Sequence, residues 1–137
     1  MTPDDLARIH SRAFFTTRSW SAPEFANLLA SDSVILCGDL RSFALGRTTL
    51  DEAEVLTIAT DPAFQRQGLA RAALSAFEIR AATANARRIL LEVAADNIPA
   101  KSLYENMNYQ IVGHRKSYYT TPDARKVDAL VMAKQLS

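Results

Sequence analysis

The sequence predicts an α/β domain built on a mixed, mostly antiparallel sheet flanked by helices. Three observations carry that expectation. Strand-like apolar runs at 33–37, 42–49 and 54–60 follow one another across short polar turns, as antiparallel neighbours do. A strand, a long helix and a second strand then succeed one another over 54–93, the pattern of a crossover unit. Two further strand-like runs, 109–114 and 127–135, close the chain. The predicted order is helix, helix, three strands, helix, strand, helix, two strands, in a single domain spanning 1–137.

Each element has a local reason. Leu6, Ile9, Ala13 and Phe14 fall on one stripe of a helix over 4–15, with Thr2 or Asp4 as its start signal. Residues 16–19 are a polar break. Ser21 and Glu24 stand at capping-box spacing for a second helix, whose buried face is Phe25, Leu28 and Leu29. Gly38-Asp39 reads as the first hairpin turn and Asp51-Glu52 as the next. The longest helix, 68–83, sets Leu69, Ala73, Ala76, Phe77 and Arg80 on one side, and Asn85 suits a left-handed stop. The near-continuous apolar run Ile89, Leu90, Leu91, Val93 predicts a strand over 88–93 buried on both faces. Asn97 caps the following helix, with Pro99 in its first turn, Leu103 and Tyr104 along it and Asn108 as its stop. A polar loop over 118–126 is expected between the last two strands.

Composition bounds the function. The 137 residues are 48% hydrophobic, which suits one compact core. Lys and Arg number 16 against 15 Asp and Glu, a net charge of +1, so a nucleic-acid partner held by phosphate neutralisation is not expected. One cysteine, Cys37, excludes an internal disulfide and a multi-thiolate centre; with His10 and His114 the only histidines, no metal is expected. The N-terminus, Met1-Thr2-Pro3-Asp4-Asp5, is polar and acidic, unlike a secretory signal. No apolar run approaches the length of a membrane span, so a soluble cytoplasmic protein without a membrane partner is expected.

Chemistry concentrates first at Gln65-Arg66-Gln67-Gly68-Leu69-Ala70. A strand leads through Asp61-Pro62 into this loop, and the loop opens into the longest helix. The first N–H groups of a helix have no internal partners and its dipole favours an anion there, so a phosphate is the expected occupant. Arg66 and Arg71 flank the loop and add charge-assisted contacts. The loop is neither a dinucleotide fingerprint nor a Walker loop, since it lacks three spaced glycines and a Gly-Lys-Ser/Thr ending. Gly68 and Ala70 also read as no more than a turn glycine and a small packing residue.

Gln65-x-x-Gly68-x-Ala70, placed between that strand and that helix, resembles the acyl-CoA loop of the GNAT (Gcn5-related) N-acetyltransferases. Leu91-Glu92-Val93, then Asn97, then Ala100-x-x-Leu103-Tyr104-Glu105-x-x-Asn108-Tyr109 resembles the same family's second CoA-binding segment. Within that superfamily the likeness is greatest to the RimI-type ribosomal-protein alanine N-acetyltransferases. Trp20-Ser21 with Phe25, Ile58-Ala59, Asp61-Pro62, Tyr118-Tyr119 and Asp128-Ala129 add to it, and the resemblance covers nearly the whole chain. It implies a GNAT fold, acetyl-CoA as co-substrate, no metal, and direct transfer of acetyl to a protein N-terminal α-amine, that of a ribosomal protein. Alternatives are a small-molecule amine or a lysine as acceptor, or a CoA-binding regulatory domain without turnover.

The resemblance also implies roles for residues whose plainer readings stay open. Glu92 is either a strand-end carboxylate paired with Arg87 or Arg88 or the general base. An α-amine has a pKa of about 8 and a lysine about 10.4, so a carboxylate suffices for an N-terminal acceptor. Tyr104 is either a half-buried helix aromatic or the general acid for the departing CoA thiolate. Asn97 caps a helix and, by resemblance, also hydrogen-bonds CoA. Ile58, Ala59 and Thr60 look like plain strand residues; the resemblance implies that their backbone pairs with the pantetheine arm and polarises the thioester carbonyl. Arg66, Gln67, Gly68, Leu69, Ala70 and Arg71 would hold the pyrophosphate. Tyr118 and Tyr119 are exposed loop or strand-edge aromatics, or a wall of the peptide groove. Trp20 reads as a core anchor, Cys37 as a buried small apolar residue, and His114 as a strand-surface residue without a local partner. Three departures from the family pattern are mild: Ala70 for the second glycine, Asn108 for the helix-end glycine, Tyr109 for phenylalanine. A larger one is that the first helix starts close to Met1, so the family's first edge strand is expected to be absent or to lie upstream.

Overall fold

The computed structural model describes residues 1–13, 19–121 and 123–136. Among them lie α1 (Pro3–Ala13), α2 (Ala22–Leu29), β1 (Val34–Asp39), β2 (Ser42–Thr49), β3 (Glu52–Thr60), a 3-10 turn (Pro62–Phe64), α3 (Leu69–Thr83), β4 (Arg88–Ala94), α4 (Ile98–Asn106), β5 (Gln110–Thr120) and β6 (Lys126–Gln135). This is the expected order of elements. Phe14 as part of the first stripe, and the polar break over 16–18, fall outside the described residues.

Short-range chemistry sets the helix ends. Asp5 N–H donates to Thr2 Oγ1 at 3.1 Å and Thr2 N–H to Asp5 Oδ2 at 2.9 Å, so Thr2 is the start signal of α1. Ser21 and Glu24 form the capping box of α2. Asn97 Oδ1 accepts from Ala100 N–H at 3.3 Å. Asn85 and Asn108 both take the left-handed conformation, each with φ 73°.

The sheet order is β1-β2-β3-β4-β6-β5, with β3 and β4 parallel and every other pair antiparallel. No strand precedes α1 among the described residues, and β1 holds the outer edge. One core lies under α3 and α4, where Leu74, Phe77, Ile89, Leu91, Tyr104 and Met132 meet. A second lies under α1 and α2, where Leu6, Ile9 and Phe25 pack on Phe43, Leu45 and Ala59.

A bulge in β3 links the two cores. Leu45 pairs with Thr57 but Gly46 pairs with Val55, so Leu56 is an extra residue. The bulge shifts the side-chain parity: Ala53 and Val55 face the α3 core, whereas Ala59 faces the α1–α2 core. A Cβ on Gly46 would strike the Glu54 carbonyl oxygen and the Phe77 ring, so the close approach here requires glycine. Pairing of β3 with β4 stops at Val55–Leu91, one residue before the bulge, although β3 runs to Thr60 and β4 to Ala94. Past that point the two strands part.

Four expectations are corrected. The first hairpin turns at Leu40-Arg41, not Gly38-Asp39, because β1 pairs with β2 as far as Asp39–Ser42. The second turns at Leu50-Asp51, and Glu52 already pairs with Thr49. The region expected to be a loop over 118–126 is mostly strand: β5 continues to Thr120, with Tyr119 opposite Val127. Finally, β4 is not buried on both faces. Ile89, Leu91 and Val93 are buried, while Leu90 and Glu92 are half-buried. The helix core covers one face of β4 and β6; by alternation, Glu92 points to the other. On α3 the buried residues are Ala73, Leu74, Phe77 and Ala81, with Arg80 turned out to bond the Leu36 carbonyl at 2.7 Å.

Candidate active site

The loop after β3 is built to expose backbone N–H groups. Asp61 Oδ1 accepts from Ala63 N–H at 2.9 Å and its own N–H reaches the Arg41 carbonyl at 2.8 Å, which anchors the start of the loop. Arg66 and Gly68 then both adopt left-handed conformations, φ 64° and 75°. The first bond of α3 runs from Ala72 N–H to the Gly68 carbonyl at 3.0 Å, and Gly68 has no side chain to cap the helix. The N–H groups of Leu69, Ala70 and Arg71 are therefore left without helical acceptors. With the Arg66 and Arg71 side chains beside them, they could hold an anion.

This loop forms one side of a cleft of about 650 Å³. Ile58, Thr60, Arg66, Gly68, Leu69, Ala70, Arg71, Asn97 and Tyr104 all line it, with Phe64, Pro99 and Leu103 among further apolar wall residues. The parted β3 edge thus meets the N-terminal ends of α3 and α4 around one space. Two expected residues stand apart from it: Ala59 has its side chain in the α1–α2 core, and Gln67 is exposed beside the loop.

Tyr104 sits at the inner wall, 8% exposed, with its ring edge-on to Tyr109 at 6.0 Å. Its hydroxyl has no hydrogen-bond partner among the described residues, whereas Tyr109 donates to Glu78 Oε2 at 2.8 Å and Lys134 Nζ to Glu78 Oε1 at 2.9 Å. The tyrosine at 109 thus has a partner built for its hydroxyl, and its ring backs Tyr104. Burial, reinforced by Tyr119, pushes the Tyr104 hydroxyl up to about 12. Burial and the Glu78 carboxylate also hold Tyr109 well above the ordinary tyrosine range.

Glu92 does not line the cleft. It lies on the opposite face of the sheet, and its partner is neither Arg87 nor Arg88: Arg115 Nε on β5 stands 3.1 Å from Glu92 Oε1. Arg88 instead faces Glu52 at 3.3 Å. The Arg115 side chain reaches Glu92 across β6, where the residue opposite Arg115 is the small Ala129. Between the Arg115–Ala129 and Tyr119–Val127 pairs, β5 carries two extra residues, and Ser117 takes φ 54°. Asp128 pins this bulge: Oδ1 accepts from Ser117 N–H at 2.7 Å and Oδ2 faces His114 Nε2 at 3.0 Å. His114 therefore does have a partner. The bulge places Tyr119 half-buried on the Glu92 face; burial and then Glu92 push its hydroxyl up to about 12. Tyr118 stays 50% exposed, packed edge-on to Tyr119 and beneath the Arg115 guanidinium. Tyr119 thus lies near enough to feel the Glu92 carboxylate and to add to the rise at Tyr104.

Sequence reading missed Arg115 and Asp128 in these roles. Their partners lie on neighbouring strands whose register passes through bulges, and no short-range spacing reports that. Trp20 packs in the core beside His10 and Phe25, and Cys37 is buried, as expected.

The N-terminal end of α3, the parted β3 edge and the Tyr104 hydroxyl, which has no hydrogen-bond partner among the described residues, thus meet at one cleft. Residues 4–109 match the acetyltransferase (GNAT) family, and the chain belongs to that family. It is 39% identical over 100 residues to the ribosomal protein bS18-alanine N-acetyltransferase of Escherichia coli (strain K12), covering 73% of this chain and 67% of that one. A crystal structure of the Escherichia coli ribosomal-protein alanine N-acetyltransferase superposes with a TM-score of 0.88 at 32% identity, over 98% of this chain and 88% of that one. Arabidopsis thaliana NAA60 in complex with acetyl-CoA has the same fold, with a TM-score of 0.83 at 18% identity over 99% of this chain and 96% of that one. The protein is an acetyl-CoA-dependent N-acetyltransferase.

Proposed function

We propose that the protein transfers acetyl from acetyl-CoA to the N-terminal α-amine of a ribosomal protein, directly and in a ternary complex. The observation that carries the reading is the convergence at one cleft of the α3 N-terminus, the β3 edge whose pairing with β4 ends at Val55, and the Tyr104 hydroxyl, which has no hydrogen-bond partner among the described residues. The likeness to the bS18-alanine N-acetyltransferase supports the acceptor class.

In this reading the backbone N–H groups of Leu69, Ala70 and Arg71, with Arg66 and Arg71, take the pyrophosphate; Gln67 sits at the loop's rim. Asn97 adds a hydrogen bond to CoA. The pantetheine arm runs beside Ile58, Ala59 and Thr60 as a substitute for the missing strand pairing, and a β3 N–H polarises the thioester carbonyl. The acceptor N-terminus lies on the open face of β4, β6 and β5, against Tyr118 and Tyr119. Glu92 takes a proton from the α-ammonium, directly or through a water; the amine nitrogen bonds to the acetyl carbon as the carbonyl opens to an oxyanion; the carbon–sulfur bond then breaks, the departing thiolate is stabilised by the Tyr104 hydroxyl, and the second proton on the nitrogen passes through water to that thiolate, leaving the amide and CoA thiol. Neither a metal nor a covalent enzyme intermediate takes part, and the setting is the cytoplasm, where ribosomal proteins are made.

The test is incubation with acetyl-CoA and peptides whose N-termini are free or blocked, read by product mass. Acetyl on the free α-amine is expected. Transfer confined to lysine or to small amines would refute the acceptor assignment.

A further inference from the structure

The Glu92–Arg115 ion pair raises an electrostatic question that the reaction must answer. An acceptor amine arrives as an ammonium, and a lone carboxylate beside it favours the charged form. Such a site binds the acceptor well and holds it in the state that cannot attack. Arg115 stands where that field can be cancelled. Its Nε is 3.1 Å from Glu92 Oε1, and its guanidinium is 5.1 Å from the centre of the Tyr118 ring. It is held from two sides on a bulge that Asp128 pins through Ser117 N–H.

The surrounding charges do not already balance Glu92. From β5, Tyr118 packs beneath the Arg115 guanidinium and Tyr119 lies near enough to feel the Glu92 carboxylate; from α4, Tyr104 lies beyond Tyr119. On β6 the residues opposite Glu92 and Arg115 are the uncharged Val131 and Ala129. His114 and Lys116 act on Asp128, and Arg125 lies toward Asp96 at 4.0 Å. Among the described residues, Arg115 is the cation in contact with Glu92.

We propose that Arg115 is a charge-balancing positioning residue: it offsets the field of Glu92 so that the bound α-amine gives up its proton near neutral pH instead of being held as ammonium. The inference rests on Glu92 being the proton acceptor proposed above. It predicts an unusual direction of change. Without Arg115 the acceptor binds more tightly yet reacts more slowly, and its reaction needs a higher pH. A residue that only shaped the groove would weaken binding.

The experiment compares wild type, Arg115→Gln, Arg115→Lys and Glu92→Gln across pH, with a free-N-terminus peptide and saturating acetyl-CoA. For Arg115→Gln, KM for the peptide falls several-fold and kcat at neutral pH falls on the order of tenfold. The rise of kcat with pH moves up by about one unit, which is the same tenfold. Arg115→Lys returns all three toward wild type because the charge is restored. A slow Glu92→Gln enzyme alongside an Arg115→Gln enzyme with the wild-type pH profile overturns this inference and leaves the proposed function standing. An unchanged kcat in Glu92→Gln overturns the assignment of the base and the role of Arg115 with it. Arg115 is half-exposed, with 54% of its side chain accessible, so its replacement leaves the fold intact, and circular dichroism checks this.

Discussion

Replacing Tyr104 by phenylalanine removes a single hydroxyl from the cleft wall, and the structure sets the size of the effect. That hydroxyl has no partner among the described residues, so its loss orphans no buried group and stability changes by less than about 0.5 kcal/mol. Burial pushes it up to about 12, so it carries its proton throughout any ordinary assay. It is also a weaker acid than a free tyrosine. A thiol has a pKa of about 8.5, so complete proton transfer to a thiolate is uphill by roughly 3.5 units, or about 5 kcal/mol; for an ordinary tyrosine it would be about 2 kcal/mol. Tyr104 therefore acts mainly by hydrogen-bonding the thiolate as charge develops. A hydrogen bond to a charged group contributes roughly 1.5–3 kcal/mol. The Tyr104→Phe enzyme should lose about 10- to 100-fold in kcat, with little change in KM for acetyl-CoA. Steady-state release of free CoA thiol measures both constants. An acetyl thioester with a more acidic leaving thiol should narrow the gap between the two enzymes. An unchanged kcat, or a loss confined to KM, would refute the reasoning.

Alkaline stability tests the same tyrosine with a definite sign. Tyr104 is raised from 10.0 to about 12 on folding, so its contribution is complete below pH 10 and is lost as pH rises through about 12, where the unfolded chain alone has released the proton. In urea unfolding, wild type should lose about 2 kcal/mol more than Tyr104→Phe between about pH 9 and 11.5; equal losses would contradict the burial argument. Gly46→Ala should destabilise by about 1–3 kcal/mol, because the new methyl meets the Glu54 carbonyl and the Phe77 ring; an unchanged urea midpoint would show that the bulge is not held there. Asn97→Ala should cost about 1 kcal/mol through loss of the cap to Ala100 N–H, whereas Asn97→Ser keeps the cap. Weaker acetyl-CoA binding by Asn97→Ser, read by calorimetry, would separate the proposed cofactor contact from the cap, and unchanged binding would remove that contact.

Features that depend on nearby residues were readable in the sequence: the Ser21–Glu24 box, the left-handed Asn85 and Asn108, the Asn97 cap, and the strand-loop-helix passage around Gly68 all arise within a few positions of one another. Features that depend on register were not. The parting of β3 from β4 follows from one extra residue, Leu56, which an apolar strand pattern does not reveal. The exposed run of β5 lacks the alternation that marks a half-buried strand, so its second half reads as loop. The apolar stretch Ile89–Leu91 looks doubly buried, because sequence cannot tell that the second face of β4 is only half-buried among the described residues. That half-buried face holds Glu92 and Arg115, brought together across β6 from positions 23 residues apart. Arg66, Gly68 to Arg71 and Asn97, which line the cleft, stood out in the sequence because each lies beside a helix start, whereas Tyr104, near the end of α4, stood out only through the family resemblance.

A crystal structure with CoA and a peptide bearing a free N-terminus tests the central claim most directly. The account predicts the pyrophosphate at the Leu69–Arg71 N–H groups, the sulfur within hydrogen-bond reach of the Tyr104 hydroxyl, and the α-amine beside Glu92 directly or through one water, with Tyr118 and Tyr119 along the peptide. A sulfur remote from Tyr104, or an α-amine on the far side of the sheet from Glu92, would contradict it.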